Sequence, residues 1–376
     1  MISRKISNII NEKLYDKKII IITGARQTGK TTLLKDFFGN YNNKLWLNAD
    51  QPDVQAIFEN ANSDVFKDFF GDNKFIIIDE AQQIKNVGLK LKIIADELPE
   101  YKLIVTGSSS FELANEINEP LTGRKWEYSL YPLSFEELLQ HNGLLSEKRY
   151  LHRRLIYGSY PDVVTNPGSE KEILKQITDS YLFKDILMWQ HIKKSEKLIK
   201  LLQALALQVG SEVSYNELGK LVGLDNITVE KYIQLLEKVF VIFRLKSLKR
   251  NCRKELKLAR KIYFYDNGVR NALIANFQQL KLRQDIGALW ENYLVSERIK
   301  LLHYNKIWAN VYFWRTHDQQ EIDYVEEIDG LYHAYELKWN PKAKVKFSKS
   351  FTSNYNHTTN VVNRDNYYNF IRNSKK

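Results

Sequence analysis

Ile19-Ile20-Ile21-Ile22-Thr23-Gly24-Ala25-Arg26-Gln27-Thr28-Gly29-Lys30-Thr31-Thr32 joins two patterns that belong together. The four isoleucines make the continuous apolar run expected of a strand buried on both faces. Gly24 to Thr31 then fits G-x-x-x-x-G-K-[ST] at every constrained position. A polyphosphate is held by converging backbone N–H groups, and these converge only where glycine allows tight turns and close approach. In that pattern Lys30 reaches the β- and γ-phosphates and Thr31 offers its hydroxyl to magnesium. Gly24, Ala25, Arg26, Gln27, Thr28, Gly29 and Thr32 complete the cradle. Thr32-Leu33-Leu34-Lys35-Asp36-Phe37-Phe38 has helical character, so the phosphates would sit at a helix N-terminus. The segment points to ATP or GTP.

A second element extends binding to hydrolysis. Phe75-Ile76-Ile77-Ile78 reads as another buried parallel strand, and it ends in Asp79-Glu80. Acids at the C-terminal edge of an open α/β sheet face its ligand crevice, where Asp79 can hold magnesium and Glu80 can polarise the attacking water. A P-loop kinase needs no such glutamate. Leu103-Ile104-Val105-Thr106-Gly107-Ser108-Ser109-Ser110 reads as the next strand, with Thr106 or Ser108 as candidate γ-phosphate sensors; a Gly/Ser turn without a chemical role is the alternative. Gln82 and Gln83 are explained equally by water placement and by helix-start polarity, and are not assigned a catalytic role.

The chain has 376 residues, 44% of them hydrophobic and 12% aromatic, which suits two or three globular domains. Its single cysteine, Cys252, excludes an intramolecular disulfide and any multi-cysteine zinc site. No apolar run approaches the ~20 residues of a bilayer span, so the expectation is a cytoplasmic protein with no membrane partner. The formal charge of +11 favours an anionic partner, although solubility alone also accounts for it.

The expected fold class is α/β. Residues 1–145 alternate strand-like runs (Ile19 to Thr23, Lys44 to Asn48, Phe75 to Asp79, Leu103 to Thr106, Trp126 to Leu130) with helical stretches, as a P-loop parallel sheet would. Residues 146–195 read as a helical lid broken at Tyr157-Gly158-Ser159-Tyr160-Pro161. Residues 196–250 give three helical patterns and the β-rich Val239 to Leu245, a winged helix whose recognition helix opens at Asn226 to Tyr232. The basic run Arg244 to Lys254, with Lys249, Arg250, Arg253 and Lys254, would attract DNA or RNA; guarding a solvated strand edge is its other reading. Winged helices also dock proteins, and Glu230 on the exposed recognition face argues against base reading.

Residues 251–376 carry a second constellation. Glu291 lies in a helical stretch, followed by strand-like runs Val311 to Arg315, Glu321 to Val325 and Ala334 to Lys338. Asp323 and Glu336-x-Lys338 form a D…ExK spacing. On neighbouring strands, Asp323 and Glu336 can chelate magnesium, with Glu291 completing the metal site and Lys338 orienting water or stabilising negative charge. That is phosphodiester hydrolysis chemistry on a nuclease-like fold. A retained fold with structural acids, or with a site that only binds nucleic acid, is the alternative. Arg124, in Gly123-Arg124, is a candidate catalytic contact to the γ-phosphate, or else a turn residue in a surface salt bridge.

With these motifs in view, the chain resembles the prokaryotic AAA+ superfamily ATPases that carry an uncharacterised C-terminal domain similar to PD-(D/E)XK nucleases. The resemblance rests on the P-loop, Ile76-Ile77-Ile78-Asp79-Glu80-Ala81-Gln82, Leu121-Thr122-Gly123-Arg124 running into Tyr131-Pro132-Leu133-Ser134-Phe135-Glu136-Glu137, Tyr157 to Pro161, Lys261-Ile262-Tyr263-Phe264-Tyr265-Asp266-Asn267-Gly268, and Phe313 to Lys338. It implies ATP rather than GTP, an AAA-like core, a winged-helix middle and a nuclease-like end. One position departs from it: Ile322 precedes Asp323 where the superfamily's name has proline. The reading is a Mg2+-dependent ATPase whose nucleotide state moves a winged-helix and nuclease-like module acting on nucleic acid. Its rival is an ATP-dependent switch or scaffold with a protein partner and an inactive C-terminal domain. Either is compatible with a homo-oligomer.

Overall fold

The computed structural model describes residues 1–59, 61–108, 120–182, 195–248, 260–316 and 318–373. The chain divides into two compact units, Met1–Tyr131 with Lys238–Phe240, and Pro132–Glu237 with Val241–Lys376.

The first unit is built on β1 (Ile19–Thr23), β2 (Lys44–Asn48), β3 (Phe75–Asp79), β4 (Lys102–Thr106) and β5 (Lys125–Ser129), all parallel, in the order β2-β3-β4-β1-β5. The strands written almost wholly in Ile, Leu, Val and Phe, namely β1, β3 and β4, occupy the centre and are buried at every residue. The more polar β2 and β5 take the edges. Helices α1 (Ile6–Lys13), α2 (Lys30–Phe37), α3 (Pro52–Glu59), α4 (Ser63–Phe70) and α5 (Val87–Glu97) make up the rest. Phe58, Phe66 and Phe70 pack with Ile19, Ile21, Ile76 and Ile78 into one apolar cluster. The order reverses beside β1, so the crevice at the strands' C-terminal ends opens where β1, β4 and β3 finish side by side.

The second unit holds a seven-stranded mixed sheet in the order β12-β11-β10-β9-β7-β8-β6. Its strands are β6 (Glu212–Val213), β7 (Ile242–Ser247), β8 (Arg260–Phe264), β9 (Asn310–Arg315), β10 (Glu321–Ile328), β11 (Leu331–Leu337) and β12 (His357–Val362). The helices Ser195–Leu207, Tyr215–Val222 and Asn226–Lys238 fall where the helical patterns are expected. Their hairpin, however, is β7 with β8, and β7 also pairs in parallel with β9 through Lys246–Tyr312 and Ser247–Phe313. The boundary expected between residues 250 and 251 therefore runs through one hydrogen-bonded sheet. The long helix Ile286–Tyr304 contributes Leu289, Trp290, Leu294 and Val295 to a core shared with Tyr263, Phe313 and Tyr324. Its Asn292 accepts from Phe264 N–H at 2.7 Å and donates to Phe264 C=O at 3.1 Å, binding helix to strand. Among the described residues no helix is long and apolar enough to cross a membrane.

Glycine is required at Gly268, where an added Cβ would lie 2.1 Å from the Tyr157 carbonyl oxygen; at Gly287 it would meet nothing within 4 Å. Gly268→Ala must therefore displace backbone and should cost about 1–3 kcal/mol, whereas Gly287→Ala should leave stability within about 0.5 kcal/mol of wild type. Thermal unfolding of the two variants separates them, and equal midpoints would contradict the packing described here.

Candidate functional site

The loop between β1 and α2 adopts backbone that its sequence permits at a cost. Gly24 has φ 153° and Gly29 φ 92°, while Gln27 stands at φ 60°. A Cβ on Gly24 would come 2.3 Å from the Leu130 carbonyl oxygen, so glycine is demanded here by the chain leaving β5 as well as by any phosphate. Thr28 Oγ1 donates to Ala25 C=O at 2.8 Å. Lys30, 4% exposed, donates Nζ to the carbonyls of Gly24 and Ala25 at 2.9 and 3.1 Å, so its ammonium lies against the loop it is expected to serve. Arg4 was not singled out by the sequence. Its guanidinium donates to Thr28 C=O and Tyr131 C=O, both at 2.6 Å, and fastens the loop to the chain beyond β5. Thr23 Oγ1 and Gln27 Oε1 are buried without a partner, the kind of unmet polar atom that a ligand or water satisfies.

The acid pair closes on this loop. Thr31 Oγ1 donates to Asp79 Oδ2 at 2.8 Å, and Thr106 Oγ1 donates to Asp79 Oδ1. Thr31 and Asp79 thus present two hard oxygen donors on facing elements, the chemistry magnesium takes. Thr106 also accepts from Glu80 N–H at 3.1 Å, so it braces both acids. Glu80 sits in the left-handed region at φ 55°, ψ 41°. Gln82 joins the set. Its Nε2 donates to Glu80 Oε2 at 2.5 Å while its Oε1 accepts from Ser108 N–H at 3.1 Å, tying the carboxylate to the end of β4. Ser109 and Ser110 lie outside the described residues.

Arg124 is a correction. Its carbonyl accepts from Ile19 N–H at 2.9 Å, which places it at the N-terminal edge of the sheet, about one five-residue strand, roughly 16 Å, from the P-loop edge. Its Nε lies 2.5 Å from Asp96 on α5, both side chains about 40% exposed. It forms a surface salt bridge and does not face its own chain's P-loop.

In the second unit the D…ExK residues converge. The Tyr324–Tyr335 register sets Asp323 beside Glu336, and alternation adds Glu321 and Lys338 to that face. Lys338 Nζ lies 2.9 Å from Asp323 Oδ2 and 2.6 Å from Glu336 Oε2, and Leu337 N–H donates to Asp323 Oδ2 at 2.8 Å. Glu291 accepts from Tyr263 Oη at 2.6 Å and from Lys261 Nζ at 3.0 Å; Lys261 also pairs with Glu321. Burial opposes the Lys261 charge, yet Glu291, Glu321 and Asp323 hold its ammonium above the ordinary lysine value. Burial and the neighbouring Asp323 push Glu336 up to about 7, against the pull of Lys338. Burial likewise raises Glu291. Lys261, Tyr263 and Glu321 were not assigned a role from sequence; the two-residue spacing of Lys261 and Tyr263, and of Glu321 and Asp323, is the signal that would have found them. Among the described residues no three His, Cys, Asp or Glu side chains are placed to hold a metal ion. The acids expected to share one, Asp323, Glu336 and Glu291, are instead bridged by lysines.

Of the basic run, Lys249, Arg250, Arg253 and Lys254 lie outside the described residues, as does Cys252. Arg244 is occupied, donating Nε to Glu237 Oε1 at 2.7 Å and Nη1 to Tyr215 Oη at 3.0 Å.

Residues 16–139 match the family described as AAA domain. This segment is a P-loop ATPase domain. Residues 148–280 and 286–373 match two domains of unknown function, DUF8612 and DUF4143. An uncharacterized protein of Haemophilus influenzae is 29% identical over 304 residues, 73% of this chain and 74% of its own. One from Mycobacterium tuberculosis is 24% identical over 338 residues, 88% of this chain and 72% of its own. Among solved structures, a signal-transduction ATPase with numerous domains and a tetratricopeptide-repeat sensor, from Pyrococcus horikoshii, matches at 15% identity and a TM-score of 0.30. That match covers 82% of this chain and 48% of the other. Drosophila ORC bound to AT-rich DNA and Cdc6 matches at 11% identity and a TM-score of 0.28, covering 72% and 90%. Neither structural likeness is close enough to build on.

The Glu336 shift sets a pH dependence. An acid whose folded value exceeds its ordinary 4.5 holds a proton that the unfolded chain releases. Its contribution is complete below that ordinary value and is lost as pH rises through about 7. Glu336→Gln should flatten the decline of stability across this window, read as urea midpoints at its two ends in the presence of a chelator. A decline as steep as wild type would contradict the assignment.

Proposed function

We propose that this chain is a magnesium-dependent ATPase whose nucleotide state moves the unit containing the C-terminal sheet, and that the unit acts on nucleic acid. The observation that carries the first half is the meeting of Thr31, Asp79 and Thr106 beside Glu80. Lys30 exchanges the Gly24 and Ala25 carbonyls for the β- and γ-phosphates, Thr31 and Asp79 hold magnesium, and Glu80 polarises the attacking water. Bound magnesium supplies charge neutralisation between the phosphates. The AAA match of residues 16–139 favours ATP as the nucleotide.

The second unit's order of helix, β6, two helices, β7 and β8 supports reading residues 195–264 as a winged helix. The convergence of Asp323, Glu336, Lys338 and Glu291 supports a nuclease-like end. One observation favours the rival reading, an ATP-dependent protein-binding switch with an inactive nuclease-like domain: Lys261 and Lys338 already neutralise the acids a cation would need.

Lys30→Ala should weaken nucleotide binding at least about tenfold, while Glu80→Gln should bind normally and lose about a hundredfold or more in turnover. Phosphate release with and without magnesium checks this, and equal turnover in Glu80→Gln rejects the hydrolytic role. Stimulation by single- or double-stranded nucleic acid in the same assay supports the second half. Unchanged turnover favours the switch. Metal-dependent nicking that disappears in Asp323→Ala would establish a nuclease, whereas binding without nicking would assign the cluster to docking.

A further inference from the structure

Beyond Glu336 the chain runs from Leu337 to Arg364 without a single acid, yet carries six cations, Lys338, Lys342, Lys344, Lys346, Lys349 and Arg364. Lys342, Lys344, Lys346 and Lys349 are exposed, while Ala343, Val345 and Phe347 between them are half-buried. This alternation is the two-residue period of an extended chain, and it has a cause: Phe347 packs on the cluster of Trp314, Ile322, Ala334 and Phe351. The inward side chains therefore fix which way the lysines face. Among the described residues no carboxylate pairs with any of the four exposed lysines.

Two ordinary explanations fit poorly. Lysines guarding a sheet edge belong on the edge strand, but these occupy the connection between β11 and β12, before β12 forms that edge. A soluble face intersperses both signs of charge, and this one carries a single sign. A membrane surface would need apolar side chains turned outward, and here they turn inward. Same-side positions on an extended chain lie about 6.6–7 Å apart, which is about two nucleotide steps along one duplex strand. Lysine is a compact point charge suited to phosphate rather than to base edges.

We propose that the segment Lys338–Lys349 is a docking track for the phosphate backbone of nucleic acid, and that it leads to the Asp323–Glu336–Lys338 cluster. The inference rests on the reading that this unit acts on nucleic acid and names the surface it uses. Lys338 joins the two, since its Nζ lies 2.9 Å from Asp323 Oδ2 while its backbone opens the lysine run.

The test uses the full chain with labelled single-stranded and duplex DNA of mixed sequence, titrated by fluorescence anisotropy across a salt series. One variant carries Lys342→Gln, Lys344→Gln, Lys346→Gln and Lys349→Gln. A control loses the same charge at exposed positions elsewhere in this unit, through Lys171→Gln, Lys175→Gln, Lys220→Gln and Lys281→Gln. The track variant should bind at least about tenfold more weakly than the control, and its slope of log affinity against log salt should fall by about 0.9 per lost contact on duplex or about 0.7 on a single strand. The size of that change tells which form of nucleic acid the track holds. ATP turnover without DNA should match wild type, since none of the four residues lies near the P-loop in sequence or in the β1–β3–β4 crevice. Equal loss in track and control variants overturns the track and leaves the nucleic-acid reading standing. A wild-type protein that binds neither form overturns both.

Discussion

The carboxylate of Asp79 is the point on which the first unit turns. Strand order places β4 between the P-loop strand and the acid strand, so β1 and β3 share no backbone hydrogen bonds. Their ends are joined instead through Asp79, which accepts from Thr31 on one side and Thr106 on the other. A charge-assisted acceptor at the meeting of three strand ends is stronger than a neutral one, and it fixes the spacing of the groups around it. Glu80 then follows with its N–H held by Thr106, and Gln82 holds its carboxylate. The water-activating group is thereby pointed by residues that carry no catalytic charge themselves.

How much of this could be read from the residues depends on whether the information was local. Strands Ile19–Thr23, Lys44–Asn48 and Phe75–Asp79 were readable to the residue because continuous apolar runs bounded by polar ones have few other solutions. The P-loop was readable because its chemistry constrains adjacent positions. Arg124 failed for a topological reason: whether a residue beside a strand faces the crevice depends on which end of the strand it borders, and in a parallel sheet every strand runs the same way. Arg4 and Gln82 were beyond reach because their roles depend on partners brought together by the fold, 24 and 26 positions away for Thr28 and Ser108.

In the second unit, alternation on two strands was enough to place Asp323, Glu336 and Lys338 together. It did not reveal that a second lysine would arrive from β8. Lys261 is 2% exposed and lies among Glu291, Glu321 and Asp323, so the protein supplies positive charge where carboxylates crowd. Burying like charges without such compensation is costly, and a tethered ammonium is the least disruptive remedy. The cluster is consequently stable as it stands, with its acids satisfied by the chain.

The shared seven-stranded sheet has a mechanical consequence. β8 carries Lys261 and pairs with β6 and β7, next to the helices Tyr215–Val222 and Asn226–Lys238, while β7 passes its ladder to β9 and β9 to β10, which carries Asp323. A hinge needs a seam with few bonds across it, and here an unbroken hydrogen-bonded lattice spans the distance. Force delivered to the helical end would travel through the sheet as through a stiff plate, and the two ends would turn together rather than fold toward each other.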